Sequence, residues 1–224
     1  EGKSLRACAN EVGICLKTSF EWRHKILAAI RALEGGISFS GIVEADELLM
    51  KYSEKGRKFK NKEEYQRAKK KKHPKVAVLV VTDREGNLLF KQVGEKKVKN
   101  EQLRDELKSR LSENNLICVK PKKEFRKGVK GLQSKKVIVN KRQIKRGIYS
   151  VKIVENKISD FKTWLSRFHG VATKYLQSYL MWFVIMNKYL KELIDPDIGR
   201  LLNLSSHDRW AWDKYREIVS QRYE

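Results

Sequence analysis

The chain has 224 residues, 41% of them apolar, enough to bury a core, and its 50 Lys/Arg against 27 Asp/Glu give a formal net charge of +23. Such a charge repels itself unless a polyanion is near, so nucleic acid is the expected partner. No stretch approaches the roughly 18 consecutive apolar residues of a spanning helix and no signal-peptide pattern opens the chain, so no membrane partner is expected. The three cysteines, Cys8, Cys15 and Cys118, are odd in number, widely spaced and set among apolar residues. That pattern argues against a disulfide framework or a zinc site and for reduced core thiols, hence a cytoplasmic, nucleoid-associated protein, or a nuclear one in a eukaryote.

The first predicted unit is SLRACANEVGICLKTSFEWRHKILAAIRAL. Ala9 precedes Gly13 by four residues, with Leu5, Cys8, Val12 and Ile14 apolar around them, which is helix-turn-helix spacing. Ala9 lets a second helix pack closely, and Gly13 takes a turn conformation that other residues resist. Thr18 and Glu21 form a T-x-x-E capping box, predicting a second helix that runs from there to about Leu33. Lys17, Ser19 and Arg23 then lie near its exposed start, where side chains reach base edges or phosphates in a major groove. An ordinary helical hairpin has the same spacing and stays open as an alternative. Gly35-Gly36 ends the unit, giving a DNA-binding module over residues 1–35.

Strand patterns follow. Ile37 to Val43 is an alternating and then buried apolar run ending in Glu44, Asp46 and Glu47. Val76–Val81 and Leu88–Val93 form a hairpin through Asp83-Arg84-Glu85-Gly86-Asn87. A polar periodic helix over about 100–111 precedes a short strand, Leu116–Val119. A long helix from Val154 carries Ile158, Phe161, Trp164, Leu165 and Phe168 at three- and four-residue steps, Gly170 breaks it, and a second apolar helix runs from Thr173 to about Leu193. Trp164, Tyr175, Tyr179, Trp182 and Phe183 at this spacing are expected as core. Strand, hairpin, helix, strand, helices is the order of an RNase H-like α+β core: a mixed sheet with flanking helices, of the DDE integrase type, over residues 36–194. Residues 195–224, with Asp195-Pro196 as a helix stop and Trp210 and Trp212 beyond it, form a tail that packs on the core or binds a protein partner.

Charge is concentrated in two places. Residues 51–75 hold 12 Lys/Arg against 3 acids, and residues 120–146 hold 12 against 1. Two such stretches flanking ordered strands point to backbone phosphate contact, which fixes register without reading sequence. Lys69, Lys70, Lys71, Lys72, Lys122, Lys123, Arg126 and Lys127 are the candidates. His24, His73, His169 and His207 are scattered, with no ligand spacing to a cysteine.

Taken together, the helix-turn-helix, GIVEADE, VAVLVVTDREGNL, LICVK and YSVKIVENKISDFKTWLSRFHGVATKYLQSYLMWF resemble the DDE-type insertion-sequence transposases related to the Merlin elements. The resemblance runs from about Ser4 to Tyr189, and its most specific parts are V-E-x-D-E at Val43–Glu47 and R-F-H-G-V-A-T-K-Y-L at Arg167–Leu176. It implies carboxylates from three separated elements that hold two Mg²⁺ or Mn²⁺ ions about 4 Å apart for cleavage and transfer of a phosphodiester. It also implies double-stranded DNA as partner and a homodimer on paired DNA ends. The first carboxylate maps onto Asp46 at the end of the first strand, the third onto Glu155 with Asn156 beside it, and a further basic position onto Lys162. Phe125 falls where the family has an aromatic residue five positions after the second carboxylate.

At that second position stands Lys120, in Cys118-Val119-Lys120. An ammonium cannot ligate a divalent ion and places positive charge where cations must gather. The expectation is that Lys120 pairs with Asp46 and Glu155, keeps the fold, ends catalysis and leaves no metal or other cofactor. Glu124 and, less well placed, Asp83 are the acids that could substitute. The sequence therefore predicts a catalytically silent, transposase-derived DNA-binding protein. The alternatives are an active transposase that holds metal on Asp46, Glu155 and a third ligand, and a subunit whose body mainly binds another protein.

Overall fold

A computed structural model of the chain describes residues 2–139, 145–146, 148–189 and 209–220. Helix α1 (Leu5–Val12) is capped by the Ser4 hydroxyl, which accepts from the Ala7 amide, and it ends on Gly13 in the left-handed region at φ 70°. The Gly13 amide returns to the Ala9 carbonyl, and with Ala9 buried in the elbow the chain reverses into α2 (Leu16–Ile30). The two helices and the tight turn between them are as expected, with one correction. The second helix starts ahead of the T-x-x-E box: Cys15 is its N-cap residue, with no side-chain cap, and Thr18 already lies in the first turn with its hydroxyl 3.1 Å from the Cys15 sulfur. Gly13 completes the reversal early, so the helix begins before the box. Cys15 is consequently exposed rather than a core thiol, whereas Cys118 is buried.

The second half of α2 belongs to the main core. Leu27, Ala28 and Ile30 pack with the sheet residues, so the helical unit and the body share one apolar cluster. A 3₁₀ turn (Arg31–Gly36) follows, and residues 37–41 approach the sheet without joining it. The Phe39 amide donates to the Arg110 carbonyl at 3.2 Å, and Arg110 Nη1 donates to the carbonyls of Glu34 and Ile37, so this segment is tied to the loop beyond the sheet. Strand β1 therefore spans Ile42–Met50, later than the expected Ile37–Val43, and Asp46 sits in its middle instead of at its end.

After β1 come α3 (Lys62–Lys70), the hairpin β2 (Val76–Asp83) and β3 (Leu88–Glu95), α4 (Asn100–Lys108), β4 (Leu116–Val119), α5 (Lys123–Lys130) and β5 (Lys135–Ile138). A short pair, β6 (Lys145–Arg146) and β7 (Tyr149–Ser150), precedes α6 (Lys152–Ser166), a 3₁₀ turn (Thr173–Tyr175), α7 (Leu176–Tyr189) and α8 (Arg209–Ser220). The sheet order is β3-β2-β1-β4-β5, with β1 antiparallel to β2 and parallel to β4. The mixed sheet with its flanking helices is the expected RNase H-like α+β fold. Helices α3 and α5 and strand β5 arise inside the two lysine-rich stretches, where charge density hides the pattern. The expected continuation of α7 to Leu193, Asp195-Pro196, and residues 140–144 of the second basic stretch lie outside the described residues.

Strand β2, between β3 and the central β1, is buried at all eight positions. Phe90 of β3, Phe161 of α6 and Phe183 of α7 meet with centroids 5.0 to 5.6 Å apart, and Trp164, Tyr175 and Tyr179 are also buried, so these aromatics are core as expected. Gln177 of α7 closes the outer edge of β3, accepting from the Gln92 amide at 2.7 Å and donating to the Phe90 carbonyl at 3.1 Å. Its side chain covers a strand edge that would otherwise be open to pairing. In the tail, α8 lies against α2, with Ile218 buried and Lys25 Nζ 3.3 Å from the centre of the Trp212 ring. Among the described residues no helix is long and apolar enough to cross a membrane.

Candidate functional site

Three carboxylates enter the fold on β1, and each has a different task. Glu44 is fully buried. It accepts from Ser150 Oγ at 2.7 Å and from the amides of Ile153 and Val154 at 2.9 and 3.1 Å. Those amides open α6, so the positive end of that helix stabilises the buried carboxylate. Burial, and then the charge of this carboxylate, push the Cys118 thiol up to about 11.

Two residues on, Asp46 lies on the same face of the strand. Strand β4 runs parallel to β1 with Val119 opposite Ala45, so the chain leaving β4 delivers residue 120 level with Asp46. Lys120 Nζ is 2.5 Å from Asp46 Oδ2 and 2.5 Å from Glu155 Oε1, on the first turn of α6. The register and the helix start thus bring together the three positions inferred from sequence: Asp46, Lys120 and Glu155.

A fourth group completes the cluster. Lys122 Nζ lies 2.9 Å from Asp46 Oδ1 and 3.0 Å from Glu47 Oε1, while Glu47 Oε2 accepts from the Val98 amide at 3.1 Å. Asp46 is thereby held by one ammonium on each oxygen. Burial drives its pKa upward, but Lys120 and Lys122 outweigh that and leave it below the usual carboxylate value. Lys120 is shifted the other way. Burial disfavours its charge, yet hydrogen bonds to Asp46 and Glu155 raise its pKa.

The acids named as substitutes are placed elsewhere. Asp83 is consumed by the hairpin turn, accepting from the amides of Ser40, Glu85 and Asn87 and from Asn87 Nδ2. Glu124 pairs with Lys97 at the surface. Among the described residues no three His, Cys, Asp or Glu side chains come together in a metal-holding group. His24 is instead a core residue, stacked on Tyr175 at 3.9 Å, and His73 stacks on Tyr52 at 4.4 Å.

Of the residues assigned to groove contact on α2, Lys17 is exposed. Ser19 and Arg23 are corrections. Ser19 is buried with its hydroxyl donating to the Leu5 carbonyl, and Arg23 Nη2 donates to the Lys3 carbonyl and to Cys8 Sγ while its guanidinium lies over Phe168 and Trp182. Both side chains lie on the face that α2 turns towards α1 and α7. Lys69, Lys70, Lys71, Lys72, Lys123, Arg126, Lys127 and Lys162 are exposed; Lys122 is committed to the acidic cluster.

The segment Arg167–Leu176 is the turn between α6 and α7. Lys55 Nζ donates to the carbonyls of Phe168, His169 and Gly170, and Thr173 exchanges hydrogen bonds with Ser53 through both its amide and its hydroxyl. A lysine at a helix C-terminus meets the negative end of the dipole, so the loop after β1 is clamped to the far end of α6. Sequence reasoning missed Glu44, Glu47 and Lys55 in these roles. For the two glutamates a signal existed: acids spaced through an otherwise buried strand must have partners.

Residues 38–185 match the family model of the ISXO2-like transposase domain. The chain belongs to this family. As an ISXO2-like transposase domain it has the DDE-type relationship inferred from its motifs, and the matched segment begins beyond α1 and α2 and covers all five strands of the main sheet. A solved structure, that of a pre-cleavage Mos1 transpososome, aligns with 99% of this chain and 76% of its own at 11% identity and a TM-score of 0.39. No curated protein matches the chain.

Proposed function

We propose that this ISXO2-like transposase domain is a double-stranded DNA-binding protein whose strand-cleaving chemistry is silent. The observation that carries this reading is the Lys120 ammonium, 2.5 Å from a carboxylate oxygen of both Asp46 and Glu155. The family implies divalent metal ions, so the acids must be tested as ligands. They do not fit: the space between them is filled by a fixed positive charge, and the second oxygen of Asp46 faces Lys122. A divalent ion would have to enter beside two ammonium groups, with one carboxylate fewer than a metal pair needs. Neither Asp83 nor Glu124 is placed to supply the missing ligand.

DNA contact is supported by the net charge of +23 and by exposed cations on α3, the segment after it, and α5. Such contacts give affinity without sequence reading, and Lys17 at the start of α2 is the remaining groove-facing candidate. Two copies on paired DNA ends are proposed on the strength of the family relationship.

The test is a cleavage and strand-transfer assay in Mg²⁺ and in Mn²⁺ on duplex DNA, run on the wild-type protein, on Lys120→Asp and on Lys120→Asp with Lys122→Ala. The expected outcome is duplex binding without nicking for the wild type. Because Lys122 still holds Asp46 in the single variant, metal-dependent nicking is expected only in the double one. Metal-dependent nicking by the wild-type protein that disappears in Asp46→Asn would refute the proposal.

A further inference from the structure

A cavity of about 490 Å³ lies where α2, the Lys55–Gly56 loop and the turn between α6 and α7 meet. It lies at the end of α6 opposite the acidic cluster. Glu155 and Arg167 are 12 positions apart, roughly 18 Å along the helix axis at about 1.5 Å per residue. Most of the R-F-H-G-V-A-T-K-Y-L motif, which the acidic site leaves unused, lines it.

The chemistry of its wall is one-sided. Phe20, Phe168, Tyr175 and Tyr179 supply aromatic rings, Arg23, Lys55, Arg167 and Lys174 supply four cations, and no Asp or Glu is among the lining residues. His24 also lines it, and the buried Nδ1 of this imidazole has no hydrogen-bond partner among the described residues. Burial, then Arg23 and Lys174, push His24 down to about 3, and burial lowers Lys174. Lys55 already binds the carbonyls of Phe168, His169 and Gly170, in the turn that follows α6.

A ligand that complements this wall needs a flat aromatic body and a negative group. We propose that the cavity is a nucleotide site. The base packs against the half-buried Phe20 and Phe168 rings, and the phosphate lies against Arg167 and Lys174. The size suits one nucleotide. Two sources share this chemistry: a free nucleoside monophosphate, or an unpaired nucleotide of a bound DNA strand. The site does not depend on duplex binding, because the first source needs no duplex.

The experiment uses 2-aminopurine, whose fluorescence is quenched when it stacks, in the full chain's presence. Three probes are compared: 2-aminopurine deoxyriboside monophosphate, a duplex with one unpaired 2-aminopurine, and the same duplex with the base paired. Quenching of the unpaired base beyond the paired one identifies DNA as the source; quenching of the monophosphate alone identifies a free nucleotide. Arg167→Glu with Lys174→Glu should weaken the quenched complex at least tenfold, whereas Lys108→Glu, at an exposed cation outside both the cavity and the two basic stretches, should leave stacking unchanged. Val171→Trp, which fills the cavity and keeps its charge, should abolish quenching, with a thermal melt confirming each fold. No quenching of either the monophosphate or the unpaired base overturns the site. Full quenching in a folded Val171→Trp protein, or equal loss in Lys108→Glu, overturns it as well.

Discussion

Lys120 and Lys122 approach the same carboxylate from opposite oxygens, so each can stand in for the other. Lys120 retains 30% side-chain exposure against 5% for Asp46, which screens the interaction and discounts its contribution. Lys120→Met should therefore destabilise by only about 1–2 kcal/mol in urea denaturation, below the roughly 3–5 kcal/mol of a fully buried broken pair. Lys122→Met should behave similarly, and the double variant should lose more than the sum, because only then is Asp46 left buried without a cation. Additivity within about 0.5 kcal/mol would show that the two lysines do not share Asp46. His24 is the other residue with a measurable signature. Its pKa is depressed from 6.5 to about 3 by burial, Arg23 and Lys174. The unfolded chain takes up a proton at this side chain near pH 6.5 and the folded one does not, so stability from this residue is complete above that pH and is lost as pH falls towards 3. The loss at pH 4 should be on the order of 3 kcal/mol, and His24→Phe should flatten that part of the stability profile.

Among the elements, β1 is the one on which the site depends, because alternate positions serve different neighbours. Glu44 orients α6 and so places Glu155; Asp46 gathers the lysines; Glu47 ties down the segment leading into α4. Glu44→Ala would leave two helix-opening amides and a hydroxyl without acceptors in a dry interior. The expected cost is roughly 2–4 kcal/mol, with Gln recovering part of it because its amide oxygen still accepts from both amides. Thermal denaturation of the pair of variants checks this, and an equal loss in both would show that charge rather than hydrogen bonding holds the helix start. Helix α2 teaches the opposite lesson. Its spacing was legible, but α1, α7 and α8 all pack against it, and that packing turns Ser19 and Arg23 inward.

At the scale of the whole molecule, charge is partitioned. The acidic cluster is internally neutralised by two lysines, while most of the excess cations lie on outer faces. Binding to duplex DNA should therefore weaken steeply with salt. Replacing Lys69, Lys70, Lys71 and Lys72 with Gln should reduce the slope of log affinity against log salt by up to about 0.9 for each phosphate that the segment neutralises, without changing sequence preference. Fluorescence anisotropy between low and moderate salt measures it, and an unchanged slope would remove this segment from the interface.

The residue order alone determined the family, the α+β plan, the strand Leu116–Val119, the hairpin, and the identity of the three positions that meet at the site, because periodicity and short motifs are local properties. It also singled out Lys120 as the residue standing where the resemblance implies a second carboxylate. Only tertiary structure decided where β1 begins, since Arg110 holds Ile37 and Phe39 outside the sheet. It likewise decided that Lys122 joins Lys120 on Asp46, that Asp83 is held by its turn, and that Ser19 and Arg23 face inward. In each case the outcome depends on which distant backbone or side chain arrives within hydrogen-bonding reach, and spacing along one chain carries no measure of that.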